Sequence, residues 1–185
     1  MSRRFEIGDA LMIVDVQNDF CPGGALAVPE GDQVVPVINR AIQEALDKGI
    51  PIIASRDWHP EHHCSFEGQG GPWPPHCIRH TEGAAFHPEL ALPEGVHIVS
   101  KGQSQDKDEY SALGVTGLGD WLRQREISRL WVGGLAQDVC VHATVMDALK
   151  EGFEVCLMRE GTRPVQPEKG IETVAEMRSA GAEVV

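Results

Sequence analysis

Three polar residues stand where apolar runs end. Asp15 closes ALMIVD in the segment VDVQNDF, Lys101 follows VHIVS, and Cys140 lies in GGLAQDVCVHATVMDAL, where a helix begins. An acid, an amine and a thiol are the parts of a nucleophilic hydrolase site. A carboxylate can take the thiol proton and later hand it to a leaving amine. A thiol in a helix's first turn has its thiolate stabilised by free N–H groups and the helix dipole, which lowers its pKa; Lys101 pushes the same way. Gly134 and Ala136 leave room for a substrate to approach backbone N–H groups, as an oxyanion hole requires. Each residue also has a plainer reading: Cys140 as a small buried hydrophobe, Asp15 as a cap, Lys101 as a solvated charge. Their common place at strand ends favours the joint reading.

A second constellation suits a metal. Asp57 and His59, two residues apart in extended chain, point their side chains the same way. His76, in WPPHC, is a third ligand from the far end of the same loop. One carboxylate and two imidazoles suit zinc, iron or manganese, with water in the open positions. The segment 57–95 holds six of the eight histidines, together with Cys64 and Cys77, which is why a metal is sought there. His63, Cys64, Ser65 and Cys77 lie close enough to compete as ligands, and a closed structural zinc site built on Cys64, Cys77 and two histidines is the rival arrangement. His62, His80 and His87 read as surface residues. Phe20, Trp73 and Tyr110 each sit in a loop beside a candidate residue, either as walls that stack on a flat ring or as ordinary packing. The acidic residues of QSQDKDEY read as a solvated turn.

The elements that must position these groups alternate. Strands are expected at Ala10–Asp15, Ile50–Ser55, Val96–Ser100, Leu130–Gly133, Phe153–Met158 and Ala182–Val185. Between them, helical periodicity runs over Asp32–Lys48, a short stretch at 118–125, Asp138–Glu151 and Pro167–Ala180. Near-continuous apolar strands separated by helices imply a parallel sheet covered on both faces. The expected fold is α/β, a three-layer α/β/α arrangement with a doubly wound six-stranded parallel sheet of order 3-2-1-4-5-6. Its ligand crevice lies at the carboxyl ends of strands 1 and 4. The break in the rhythm at 57–95 is long for a structureless loop, and such loops are often functional.

Composition narrows the classes. A chain of 185 residues is about one domain, and 1–185 is read as one. With 16 basic and 28 acidic residues the net charge is −12, a poor match for nucleic acid or an anionic membrane. No apolar run approaches the ~20 residues that span a bilayer, and no secretory signal is expected. Five cysteines at irregular spacing do not suggest a disulfide framework, so a cytoplasmic protein acting on a small molecule is expected. The oligomeric state is left open, a homo-oligomer included.

VDVQNDFCPGGALAVPEGD, SRDWHPEHHCSF, WPPHC, GAAFHPEL, KG followed by DEYSAL, and GGLAQDVCVHATVMDAL together resemble the nicotinamidases of the isochorismatase-like hydrolase superfamily, over nearly the whole chain and in the same order. The resemblance implies hydrolysis of nicotinamide to nicotinate and ammonia through a cysteine thioester, in NAD salvage, with pyrazinamide as a second substrate. Asp15, Lys101 and Cys140 match the catalytic triad, Asp57, His59 and His76 the metal ligands, and Phe20, Trp73 and Tyr110 the pocket aromatics. Ser65 stands where members vary between a direct ligand and one acting through water. The resemblance also implies a cis Leu135–Ala136 peptide that aims the N–H groups of Ala136 and Cys140 at the oxyanion. Members acting on other substrates share the triad but generally lack the DWHP and WPPHC metal set. The chain departs from the family at Gln137, where threonine is usual, and at His80, where glycine is common. Gln137 is close in sequence to the nucleophile, which bears on preference among related amides. The alternatives are a superfamily hydrolase for another amide, a ureide or a vinyl ether, and a non-catalytic zinc or redox module.

Overall fold

The computed structural model describes residues 4–114 and 116–185. Six parallel strands form one sheet: β1 (Asp9–Val14), β2 (Ile52–Asp57), β3 (His97–Lys101), β4 (Arg129–Leu135), β5 (Glu154–Arg163) and β6 (Glu183–Val184). Their spatial order is β3-β2-β1-β4-β5-β6, as the alternation of elements implies. Among the described residues four α-helices cover it: α1 (Val34–Asp47), α2 (Leu118–Gln124), α3 (His142–Lys150) and α4 (Gly170–Ala180).

The pleat sorts β1 between two cores. Leu11 and Ile13 face α1, packing with Val34, Ile38 and Ile42. Ala10, Met12 and Val14 face the other way, packing with Leu118, Leu122, Val145, Val174 and Met177 of the remaining helices. All six β1 residues are buried, and Ala10–Val14 is a continuous apolar run, while Asp9 at its start is paired with Arg129. Each fully buried Leu, Ile or Met contributes roughly 1.5–3 kcal/mol, and the three-layer build follows from both faces needing cover. Pro36 is tolerated because it falls in the first turn of α1, where its missing N–H has no helical acceptor.

Most strand and helix ends differ from the expectation by a few residues, β2 and β3 reaching on to Asp57 and Lys101, and two differences bear on the site. The short π-helical turn Gln137–Val141 precedes α3, so Cys140 belongs to that turn. β5 continues past Met158 to Arg163, with a register shift between Val132 and Gly134. The polar run REGTR conceals that extension, because its pairing is with the carboxyl end of β4, where the crevice opens. Among the described residues, no helix is long and apolar enough to cross a membrane.

Candidate active site

The strand order sets the carboxyl ends of β3, β2, β1 and β4 side by side. Asp57 and Lys101 are register partners on β2 and β3, while Val14 pairs with Ser55 on one side and Gly134 on the other. The chain leaves β1 at Asp15 with φ of 48°, in the left-handed region. Gly134 has φ of 129°, and a Cβ there would overlap the Val14 backbone, so only glycine lets β4 pass this close to β1.

Lys101 is the hub. Its fully buried ammonium lies 2.7 Å from Asp15 Oδ2, 2.6 Å from Asp57 Oδ1 and 3.3 Å from Cys140 Sγ. Three contacts match the three N–H bonds of the ammonium. Carboxylate oxygens of Asp15 and Asp57 and the Cys140 sulfur all lie within 4.8 Å of one another. The Ser55 hydroxyl donates to Asp15 Oδ1 at 2.7 Å, fixing the other carboxylate oxygen.

Burial and charge compete within this cluster. For Lys101, burial favours the neutral amine, but the charges of Asp15 and Asp57 outweigh it and hold the pKa well above the ordinary value. For Asp57, burial works upward, but Lys101 together with His59 and His76 outweighs it, leaving the carboxyl well below the usual range. For Asp15, burial prevails over the pull of Lys101 and the pKa is raised. Burial likewise pushes the Cys140 thiol well up. This corrects the expectation of a lowered thiol pKa: desolvation of a fully enclosed sulfur, with two carboxylates beside it, exceeds the help from Lys101. The resting group is a neutral thiol beside a carboxylate of raised basicity.

The metal candidates converge next to this cluster. His59 Nδ1 lies 2.8 Å from the Gly102 carbonyl, and His76 Nδ1 lies 2.8 Å from the Pro74 carbonyl. A carbonyl only accepts, so both rings carry their proton on Nδ1 and present a free Nε2. Those Nε2 atoms sit 3.4 Å and 3.7 Å from Asp57 Oδ2. One carboxylate oxygen and two imidazole nitrogens, buried and with tautomers fixed by backbone carbonyls, fit a divalent transition-metal ion. Asp57 serves both clusters, one oxygen toward Lys101 and the other toward the imidazoles.

Ser65 is turned toward His63: their Oγ and Nδ1 are 2.7 Å apart, while His63 Nε2 lies 3.0 Å from the Lys107 carbonyl. His63 therefore donates to Lys107 and accepts from Ser65. Burial, then the neighbouring His59, keeps its pKa below the ordinary value, consistent with that neutral form. Its ring stacks on His59 at 4.0 Å. Among the described residues no metal-holding cluster contains Cys64 or Cys77, so the rival closed zinc site is not formed.

Phe20, Trp73 and Tyr110 line one cavity of about 340 Å³ of empty space, with Leu26, Val139 and Val165 as further apolar walls and Asp57, His76, Ala136 and Cys140 as the polar end. The Trp73 indole N–H donates to the Tyr110 hydroxyl at 3.2 Å, and burial helps push the Tyr110 pKa up to about 12. The Leu135–Ala136 peptide is cis, as the resemblance implies. Gln137 is different. It is absent from the cavity wall and points to Thr162, its Nε2 donating to the Thr162 hydroxyl at 2.9 Å. Neighbourhood in sequence to Cys140 does not carry over, because the π-helical turn directs the two side chains to different places.

Several supporting residues carry no motif of their own. The Gln17 amide accepts from the Asp57 N–H at 2.9 Å and donates to the Asp57 and Ala84 carbonyls at 2.8 Å and 2.9 Å. Asp19 accepts the Cys77 N–H at 2.7 Å, next to His76. Glu109 accepts the Gly102 N–H at 2.9 Å, so part of the QSQDKDEY turn is structural rather than merely solvated. The one available signal was the alternation of Asp15, Gln17 and Asp19 just beyond an apolar strand.

Comparisons with known proteins identify the family and the fold. An isochorismatase domain model matches residues 9–185. A nicotinamidase from Escherichia coli is 44% identical, the alignment covering 94% of this chain and 92% of that protein. The crystal structure of a pyrazinamidase of Pyrococcus horikoshii in complex with zinc superposes with a TM-score of 0.93 at 46% identity, covering 96% of this chain and 98% of that one. PnC1 from L. infantum in complex with nicotinate gives a TM-score of 0.88 at 39% identity, covering 96% and 91%. The chain belongs to the isochorismatase family.

Proposed function

We propose that this chain hydrolyses nicotinamide to nicotinate and ammonia, in NAD salvage, and takes pyrazinamide as a related substrate. The observation that carries the reading is that the Cys140 sulfur and the Asp57/His76 edge of the metal triad open into one aromatic-walled cavity. A carboxamide on a flat nitrogen heterocycle has a carbonyl carbon for the thiol and a ring nitrogen for the metal side. The E. coli nicotinamidase, the zinc-bound pyrazinamidase and the nicotinate complex support it.

In the mechanism, Asp15 takes the thiol proton and Cys140 Sγ attacks the carboxamide carbon, forming a C–S bond and a tetrahedral oxyanion. Lys101 holds Asp15 in place and its charge offsets the developing thiolate. Burial raises the basicity of Asp15, which suits it to accept a proton within the buried cluster. The oxyanion is assigned to the N–H groups of Ala136 and Cys140, beside a turn in which Val139 and Val141 both donate to the Ala136 carbonyl at 3.1 Å. As the C–N bond breaks, Asp15 returns the proton to the amine, which leaves as ammonia. Water then gives a proton to Asp15 and adds to the thioester carbon. The C–S bond breaks, nicotinate departs, and the sulfur recovers its proton. Phe20, Trp73 and Tyr110 flank the ring. A divalent ion, zinc by analogy with the P. horikoshii structure, would be held by Asp57, His59 and His76, and would supply a positive centre that binds and orients the substrate. Ser65 supports that centre through His63 rather than by direct ligation.

Residues 1–185 are read as one hydrolase domain whose 57–95 segment carries the metal side. A cytoplasmic location fits the free thiols of Cys21, Cys64, Cys77 and Cys140. The test is ammonia release by the purified protein. Nicotinamide and pyrazinamide should be turned over, turnover should cease with a chelator, and zinc should restore it. Preference for a ureide or a vinyl ether over both amides would overturn the reading.

A further inference from the structure

The apolar outer wall of the cavity comes from distant parts of the chain, and one of them is tied down beside the nucleophile. Val165 lies in the connection between β5 and α4, and it lines the inner cavity together with Leu26, Trp73 and Val139. Trp73, Val139 and Val165 also line a second cleft, of about 830 Å³ of empty space, lying outside the first. These three side chains are therefore shared by both spaces and stand between the inner pocket and an outer vestibule. The vestibule is polar, edged by His142, Lys169 and Glu176.

The Val165 segment is fixed by a single side chain. Asp138, two residues before Cys140, accepts the Val165 N–H at 2.8 Å with Oδ1 and the Gln166 N–H at 3.1 Å with Oδ2. A carboxylate bridging two successive backbone amides makes two charge-assisted hydrogen bonds. It locks the Val165 backbone, and with it the isopropyl group, at a set distance from the thiol.

We propose that Val165 is a specificity-determining residue, the wall that rejects ring-substituted amides, and that Asp138 is the positioning residue that holds that wall in register with Cys140. This rests on the nicotinamide reading, and adds that the ring's tolerance for substituents is set by the β5–α4 connection rather than by the aromatic walls alone. Removing two methyl groups from Val165 opens space for a methyl on the ring, and a methylene-sized change in an apolar pocket alters discrimination by about 10–200-fold.

The experiment compares nicotinamide with its 2-, 4-, 5- and 6-methyl derivatives for wild type, Val165→Ala, Asp138→Asn and the double variant. Amide hydrogen exchange at residues 165 and 166 is followed in parallel. In V165A, kcat/KM for at least one methyl isomer should rise about tenfold or more relative to nicotinamide. D138N should favour the same isomer, mainly through KM for nicotinamide, and should speed exchange at Val165 and Gln166. The double variant should gain little beyond V165A, because both changes act on one wall. Unchanged isomer ratios in V165A overturn the wall. A uniform loss of kcat in D138N, with ratios and exchange as in wild type, overturns the positioning role. A wild type that exchanges slowly at 165 and 166 yet fails to hydrolyse nicotinamide overturns the functional reading itself, and the specificity claim with it.

Discussion

Lys101 and Asp57 form a 2.6 Å ion pair that joins two pieces of chemistry. On one side of Asp57 stands the ammonium that also holds Asp15 and Cys140; on the other stand His59 and His76. The carboxylate that would hold the metal is thus also the counter-ion of Lys101, so a change at Asp57 disturbs both clusters at once.

Replacing Lys101 with Met leaves two carboxylates adjacent and without their cation. Turnover should fall at least about a hundredfold, the scale of a lost proton-transfer partner. Residual activity should lose its acid limb at a higher pH than wild type. The sign follows from the charges: Lys101 pulls the Asp15 pKa down against burial, so its removal lets that pKa climb. The pH profile of kcat/KM measures it, and a limb that stays in place would separate Lys101 from Asp15.

In the wild type, Asp15 must be ionised to accept the thiol proton. Its pKa is raised above the ordinary 3.8 by burial, so activity should disappear, as pH falls, at a pH above the usual carboxylate range. Asp15→Asn should be inactive throughout. A wild-type profile that stays flat down to the ordinary carboxylate range would remove Asp15 as the base.

Cys140→Ala should abolish turnover while leaving bound zinc at the wild-type level, since the sulfur approaches Lys101 rather than the imidazoles. Elemental analysis alongside an ammonia assay decides this. Retained turnover ends the thioester mechanism.

Gly102→Ala should weaken metal binding about 10–100-fold, the scale for losing a group that orients a ligand. A Cβ at residue 102 would meet the His59 ring, and φ there is +63°, which side chains rarely adopt. Competition against a zinc-chelating dye reads the change, and wild-type affinity would show that the loop moves aside without cost.

Gln17→Leu strands the Asp57 N–H and C=O and the Ala84 carbonyl, all of which the amide now satisfies. An unsatisfied buried group costs about 1–3 kcal/mol, so a loss of roughly 2–4 kcal/mol is expected. A lowered denaturant midpoint at constant m would register it; an unchanged midpoint would mean that water replaces the amide.

The sheet was legible because its signals are local. A buried strand such as ALMIVD announces itself, and a polar residue at its end is visible without knowing its partners. The order of the strands, inferred from crossover rules, then placed Asp15, Lys101 and Cys140 on one rim. What was not legible depends on contacts between remote segments. Gln17 works because it meets Asp57 forty positions away, and Asp19 because it meets Cys77. The Cys140 pKa was misjudged for a related reason: the helix terminus is written in the sequence, whereas the enclosure that outweighs it is built from four strands. Gln137 shows the converse error, since adjacency along the chain said nothing of direction.

The side chains at the rim are contributed by strand ends in the order 15, 57, 101 and then the turn at 140. During synthesis the ligands at 57, 59 and 76 emerge well before the thiol does. The sulfur is therefore the last of these groups to be made. No fragment ending short of residue 140 carries the complete set, so the rim is whole only once the fourth strand and the turn after it have been added.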